Sequence, residues 1–219
     1  MPDHISEVFL SLQGEGPSAG TPAHFIRLQG CTVGCDWCDT RYAWPEDGGR
    51  DGGPAAWIAE ALALGAAPLL VVTGGEPLES GGLRDLLERS LDHWARVEVE
   101  TSGIAPPPLS HPRLFYNVSP KLPSATRRWE ETWRAAPAWI AEPNATFKLV
   151  VGDAPDDADA VRLIAAHRLP AARVMLMPEG VSDERVRAHA ATVAALCRAH
   201  GWRMSPRLHV WLWGARRGV

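Results

Sequence analysis

Short apolar runs, each closed by a polar turn carrying glycine or proline, constrain the fold more than any other feature of this sequence. Ile5–Leu12 closes on Gln13-Gly14-Glu15-Gly16, and 24–28 on Gln29-Gly30-Cys31. The run at 69–72 closes on Thr73-Gly74-Gly75-Glu76-Pro77, and that at 97–99 on Glu100-Thr101-Ser102-Gly103. Leu114–Val118 leads into Ser119-Pro120-Lys121, Ala145–Val151 into Gly152-Asp153, and 173–177 into Pro178-Glu179-Gly180. Each run has strand length and strand composition. Between them, 54–64, 83–94, 156–167 and 182–200 show helical spacing of apolar residues. Pro54 suits a helix start, Ser182 an N-cap and Gly201 a stop. Strands alternating with helices predict parallel βα units. A closed eightfold barrel takes ~250 residues. The 219 present predict an α/β fold of one domain over 1–219, an incomplete βα barrel. Segments 47–53 and 105–112 read as surface loops. In such folds chemistry sits beyond the C-terminal strand ends, where the polar turns would converge.

Charge and composition exclude several classes. Lys plus Arg is 22 against 26 Asp plus Glu, a net charge of −4. That leaves no basic footprint for nucleic acid or an anionic membrane. No run approaches the ~20 apolar residues of a membrane span. The opening Met1-Pro2-Asp3-His4 has no signal-peptide character, so the expected compartment is the cytoplasm. Of 4 cysteines, three fall within 31–38. In a reducing compartment such a knot predicts metal or redox chemistry, not disulfides. Cys31, Cys35 and Cys38 form C-x3-C-x2-C, which suits three corners of a cubane iron–sulfur cluster with one iron left open. The same spacing also fits a structural zinc site completed by His24 or His4. Cys197 lies among Val193 and Leu196 and reads as a core thiol.

The residues around the cysteines go further. C-x3-C-x-aromatic-C, with Trp37 at the aromatic position, followed by Thr73-Gly74-Gly75-Glu76-Pro77, resembles the radical S-adenosylmethionine (SAM) enzymes. The resemblance implies a 4Fe-4S cluster on Cys31, Cys35 and Cys38, with SAM chelating the open iron. It also implies SAM contacts from Trp37, Cys38, Asp39, Gly74, Gly75, Glu76, Glu100, Ser102, Ser119, Pro120, Lys121, Met177, Pro178, Glu179 and Gly180. The cofactor does the hard chemistry in such a site, and the protein orients and shields it.

The N-terminal Glu7-Val-Phe-Leu-Ser-Leu-Gln-Gly-Glu-Gly16 and Phe25-Ile-Arg-Leu-Gln-Gly-Cys31 narrow this further. With Cys38-Asp39-Thr40, Asn117-Val-Ser-Pro-Lys121, Phe147-Lys148, Met177-Pro-Glu-Gly180 and Arg207-Leu-His-Val-Trp-Leu-Trp-Gly214, the chain resembles the 7-carboxy-7-deazaguanine synthases of queuosine and 7-deazapurine biosynthesis. Ser102 stands where Asn is common in that family, and 129–144 matches nothing in it. The resemblance implies a 6-carboxy-5,6,7,8-tetrahydropterin substrate, Mg²⁺ at Thr40, a homodimer, and an electron donor such as flavodoxin or ferredoxin. Substrate contacts would come from Leu12, Gln13, Gly14, Glu15, Arg27, Thr73 and the C-terminal Val219. Arg27 suits a substrate carboxylate and Glu15 the donor-rich amino-pyrimidine edge. The tail is expected to fold over the pterin.

Two alternatives remain at this level. A glycyl-radical activase would share the cluster loop and the Gly-Gly-Glu turn, without needing Gln13-Gly14-Glu15-Gly16 or Arg27. A zinc-stabilised binding module would have no catalysis. Trp is frequent, at 10. Trp211 and Trp213 are expected to line or cover the last strand; Trp129, Trp133 and Trp139 have no role assigned from the sequence, a dimer surface being one option.

Overall fold

The strand-like runs all become strands of one sheet in a computed structural model, which describes residues 4–214 and 216–219. Met1, Pro2 and Asp3, used above in the signal-peptide reading, lie outside the described residues. In chain order the regular elements are β1 (Ile5–Leu12), β2 (Pro22–Leu28), α1 (Pro54–Ala63), β3 (Leu69–Gly74), α2 (Leu83–Ser90), β4 (Arg96–Thr101) and β5 (Leu114–Val118). They continue with α3 (Ala136–Ala141), β6 (Ala145–Val151), α4 (Asp156–Ala166), β7 (Val174–Pro178), α5 (Asp183–His200), β8 (Arg203–Met204) and α6 (Leu208–Trp213). The strands lie side by side in sequence order. β1 runs antiparallel to β2, and β2 to β8 are parallel. The sheet is open, with β1 and β8 at its edges. It is a partial βα barrel, as expected.

Local signals explain the helix limits. The Ser182 hydroxyl accepts from Arg185 N at 3.3 Å, and Gly201 ends α5 at φ 70, where a Cβ would be strained. Asp183 and Glu184 fill the first turn of α5, and Arg198 and His200 its last, matching the helix dipole.

Alternation along the strands separates two faces. Ile26, Leu28, Leu70, Val72, Val97, Val99, Tyr116, Phe147, Leu149 and Leu176 point toward Trp57, Leu86, Leu87, Leu163 and Val193 of the helices, forming the main core. Ala23, Phe25, Leu69 and Val71 form a second cluster on the opposite face, inside the curve of the sheet. There Phe9 and Phe25 stack at 4.7 Å and floor the space beneath the strand ends.

The tryptophans change role. Trp133 and Trp139 are buried in the main core, which leaves them no part in a dimer surface, and the partly buried Trp129 packs against that core. Trp139 meets Tyr116 edge-on at 5.0 Å and gives its indole N–H to Gly103 O. Trp133 gives its N–H to Lys121 O at 2.8 Å. The segment 129–144 thus carries core anchors. The last strand is β8, too short to leave an apolar pattern, and 208–213 folds as α6. Trp211 is 61% exposed on it and covers no strand.

Candidate active site

The turns after the strands converge on a cavity of about 280 Å³. The cluster loop occupies one side. Cys31, Cys35, Trp37 and Cys38 all line the cavity, and none of the cysteines is in a disulfide. Gln29 locks the loop entry, giving its side-chain N–H to Pro45 O at 2.8 Å and Tyr42 O at 3.1 Å. The segment after β5 braces the loop from outside: Thr126 donates to Val33 O at 2.6 Å, Arg128 to Thr32 O at 2.8 Å, and Asp36 N to Ala125 O at 2.8 Å. Glu79 accepts from Thr32 N at 2.9 Å.

Fit to a cluster follows from the sulfurs' neighbours. Burial pushes the Cys31 thiol up to about 11, against backbone N–H groups of Gly34 and Val33 that favour its thiolate. Thr40 N donates to Cys38 Sγ at 3.4 Å. Such amide donors stabilise metal-bound thiolates. Among the described residues, no three His, Cys, Asp or Glu side chains gather where one metal ion could sit. A cubane asks less, because each cysteine takes a different iron. The zinc reading lacks its fourth ligand, because neither His24 nor His4 lines the cavity shared by the three cysteines; His24 Nδ1 instead accepts from Trp94 Nε1 at 3.0 Å, and His4 pairs with Asp51 at 2.8 Å.

Gly74 and Gly75 line the same cavity. A Cβ on Gly75 would lie 2.1 Å from Gly30 O, and one on Gly74 2.5 Å from Leu28 O. The chain's own β2 turn therefore demands these glycines. Gly75 N donates to Leu28 O and Glu76 N to Gly30 O, which joins the two turns. The buried Glu76 carboxylate accepts from Leu78 N, the Thr101 hydroxyl and Ser102 N at 2.6–3.0 Å. It holds the ends of β3 and β4 together, and burial raises its pKa.

The opposite side is built from side chains. Lys148 Nζ lies 2.6 Å from Glu15 Oε2 and 2.7 Å from Glu100 Oε2. Gln13 and Asn117 donate to Glu100 Oε1 at 3.0 and 2.9 Å. Asn117 also reaches Glu98, which pairs with Arg96 at 2.6 Å and takes the Ser18 hydroxyl. Arg207 pairs with Glu15 at 3.2 Å, with Asp39, and with Gly180 O. Burial raises the Glu15 pKa, but the charges of Lys148, Arg207 and His209 outweigh it and hold the carboxyl far below its usual range. Burial lowers the Lys148 pKa, and its two glutamates more than reverse this. Glu100 is raised by burial despite Lys148. Gly14 lets the C-terminal segment close in: a Cβ there would strike His209 at 2.1 Å, and Leu208 N donates to Gly14 O at 2.9 Å.

Comparison with known proteins decides the family. A 7-carboxy-7-deazaguanine synthase of Pyrobaculum aerophilum is 41% identical over 98% of this chain and 96% of its own. Those of Hyperthermus butylicus and Escherichia coli K12 are 35% and 34% identical, over 94% and 95% of this chain and 91% and 97% of their own. The chain belongs to the 7-carboxy-7-deazaguanine synthase family. Its fold agrees with the crystal structure of QueE from Escherichia coli, at TM-score 0.66 and 30% identity over 94% of this chain and 95% of that one. Streptococcus suis SuiB bound to S-adenosylmethionine, at TM-score 0.55 and 11% identity over 80% of this chain and 48% of its own, shares the fold alone. No protein-family model matches the chain. The relatives named here carry the synthase name, which favours that reading over the glycyl-radical activase alternative.

Within this synthase-family chain, Leu12, Gln13, Gly14, Glu15, Arg27, Thr40, Thr73, Glu100, Ser102, Ser119, Lys121, Met177 and Val219 join the cluster loop around the cavity. Lys121 Nζ stands 5.3 Å over the Trp37 ring and bonds Ser119 Oγ at 3.1 Å. Pro120, Pro178, Glu179 and Gly180 do not line it. Glu179 instead pairs with Arg185 at 2.5 Å and its carbonyl meets His189, tying β7 to α5. The sequence reading passed over Glu98 and treated Asn117, Lys148 and Arg207 only as pattern matches. For Glu98, Asn117 and Lys148 the signal was a polar residue at alternate positions of otherwise apolar strands, since parallel strands covered on one face by helices point the other residues inward; Arg207, in the turn before α6, carried no such signal.

Proposed function

We propose that the chain is a radical SAM lyase that converts 6-carboxy-5,6,7,8-tetrahydropterin to 7-carboxy-7-deazaguanine with loss of ammonia, in queuosine and 7-deazapurine biosynthesis. The observation that carries this reading is full-length similarity to named synthases combined with one cavity that holds both the cysteine loop and the Gln13–Glu15 turn. Cys31, Cys35 and Cys38 would hold a 4Fe-4S cluster with one open iron. When bound, the cluster and SAM would supply one-electron cleavage of a sulfur–carbon bond and hydrogen-atom transfer chemistry, with SAM used catalytically.

The chain's own groups position and shield. Trp37 offers a face for the adenine, with Lys121 stacked beside it and Ser119 fixing the ammonium. The Gly74-Gly75-Glu76 turn presents backbone carbonyls to the methionyl ammonium, because the Glu76 carboxylate is already occupied by three donors. Glu15, kept ionised by Lys148 and Arg207, accepts from the amino-pyrimidine edge. Arg27 and Thr73, register partners on β2 and β3, meet the carboxylate end of the substrate. Thr40 is the proposed Mg²⁺ ligand beside that end; one hydroxyl leaves most of the ion's shell to water and substrate. A homodimer, a flavodoxin- or ferredoxin-type electron donor and a cytoplasmic setting complete the proposal. Among the described residues no helix is long and apolar enough to cross a membrane.

The test is anaerobic reconstitution with iron and sulfide, then incubation with SAM, reductant, Mg²⁺ and the carboxytetrahydropterin. Carboxydeazaguanine should form with far less than one SAM consumed per turnover. Cleavage of SAM without that product would overturn the substrate assignment.

A further inference from the structure

The C-terminal tail is fastened to the cavity wall through a carboxylate for which the site described above has no use. Glu7 lies opposite Arg27 in the β1–β2 ladder, and Arg27 is in turn opposite Thr73 in β3. Cross-strand neighbours on one face stand close enough for direct side-chain contact. Glu7 Oε1 accepts from Arg27 Nε at 2.8 Å and from the Tyr42 hydroxyl at 2.7 Å. Its second oxygen accepts from Arg217 Nε at 2.8 Å. The Arg217 guanidinium also sits 4.2 Å from the Tyr42 ring centroid and donates to Ser6 O at 3.2 Å. Three chain segments remote in sequence thus meet at one carboxylate. Glu7 and Arg27 are largely shielded, at 12% and 14% side-chain exposure, whereas Arg217 is 54% exposed. The shielded pair is the fixed half of the junction, and Arg217 is the half that can come and go.

We propose that Glu7 and Arg217 are positioning residues: a clasp that holds the tail, and with it Val219, against the substrate end of the cavity while fixing the Nε side of Arg27. This rests on the reading of that end as the site for a carboxylate-bearing pterin. Arg27 spends its Nε on Glu7, so the clasp sets how the rest of its guanidinium fork faces the cavity it lines. Tail attachment and the orientation of Arg27 are then one event. Substrate binding draws on it, and the chemical step does not.

Two readouts test the clasp on the cluster-loaded enzyme. The first is tryptic release of the tail, followed by mass spectrometry without substrate. Glu7→Gln should speed cleavage after Arg216 by about fivefold, the scale expected for one partly exposed ion pair. Arg217→Gln, a change on the exposed tail that leaves the core untouched, should do the same. The second is kinetics with the carboxypterin. Both variants should raise KM by about fivefold to tenfold and leave kcat within about twofold, the signature of lost uniform binding. The double variant should match the worse single one, because both break one contact. Arg217→Lys should restore part of the KM. Unchanged tail release in both single variants would overturn the clasp. Faster release with unchanged KM would overturn its role in positioning. If the wild type makes no carboxydeazaguanine, the substrate reading fails, and the tryptic assay still decides the clasp.

Discussion

The two sides of the cavity are built by opposite means. On the cluster side, backbone does the holding: Gly75 N, Glu76 N, Asp36 N and Gly30 N bond other turns directly, and glycines allow the close approach. On the far side, side chains do it: Glu15, Glu98 and Glu100 face Lys148, Arg207 and Arg96, and Arg207 reaches across to Asp39 of the cysteine loop. Backbone junctions tolerate side-chain change and fail on added volume. A buried charge network tolerates modest volume change and fails on altered charge. The two sides should therefore break differently.

The largest effect is expected at the cysteines. Cys31→Ser, Cys35→Ser or Cys38→Ser should each abolish SAM cleavage and remove most of the visible absorbance after reconstitution. The fold should persist, because these side chains bridge no strands. A brown, active Cys35→Ser protein would remove the cluster from that loop.

On the far side, Lys148→Met should lower kcat/KM by about 10²-fold or more and destabilise by about 3–5 kcal/mol, since it leaves two buried carboxylates without their shared cation. Cluster loading should stay normal, in contrast with the cysteine variants. Denaturant melts and iron content measured on one preparation separate these outcomes.

Added volume is the complementary probe. Gly75→Ala places a methyl 2.1 Å from Gly30 O, a backbone atom that cannot rotate away. A loss of about 2–4 kcal/mol follows, together with poorer cluster retention, as the β2 and β3 turns separate. An equivalent change in the charge network, Asn117→Gln, adds one methylene beside flexible side chains and should cost less.

That contrast also explains what the sequence showed. The cysteine loop, the Gly-Gly-Glu turn and the helix caps Ser182 and Gly201 are local, so their spacing carries them into the fold. The charge network joins residues 15, 98, 100, 117, 148 and 207, whose proximity exists only once β1 and β4 to β6 are ranked in the sheet. Period-two polarity in RVEVET and ATFKLVV marked those side chains as inward-facing. It said nothing about which ones would pair. The buried tryptophans of 129–144 were illegible for a related reason: an irregular 3-10 turn and a six-residue helix have too little periodicity to show their buried side.

Acid should probe the charge network selectively. Glu15 titrates well below its ordinary 4.5 in the folded chain, because Lys148 and Arg207 outweigh burial. A carboxylate lowered by folding stabilises above its unfolded value and loses that contribution as pH falls through the folded one. Wild-type stability should then drop below about pH 4.5 by up to roughly 1.4 kcal/mol per pH unit for this one group. Glu15→Gln should start lower and fall less steeply. Parallel curves from pH 5 to pH 3 would show that the pair does not titrate with folding.

The smallest effect is expected at the fourth cysteine, and it sharpens the boundary between site and core. Cys197 is buried against Val193 on α5 and gives its S–H to Arg203 O at 3.3 Å. Burial raises its pKa, so it stays a neutral thiol, and it does not line the cavity. Cys197→Ala removes one sulfur and one weak hydrogen bond, a loss of about 1 kcal/mol. Iron content and SAM cleavage should be unchanged. A thiol buried on the helix side of the sheet cannot serve a cluster on the inner side unless β7 and α5 come apart, so lost iron in this variant would mean that the sheet itself is held differently.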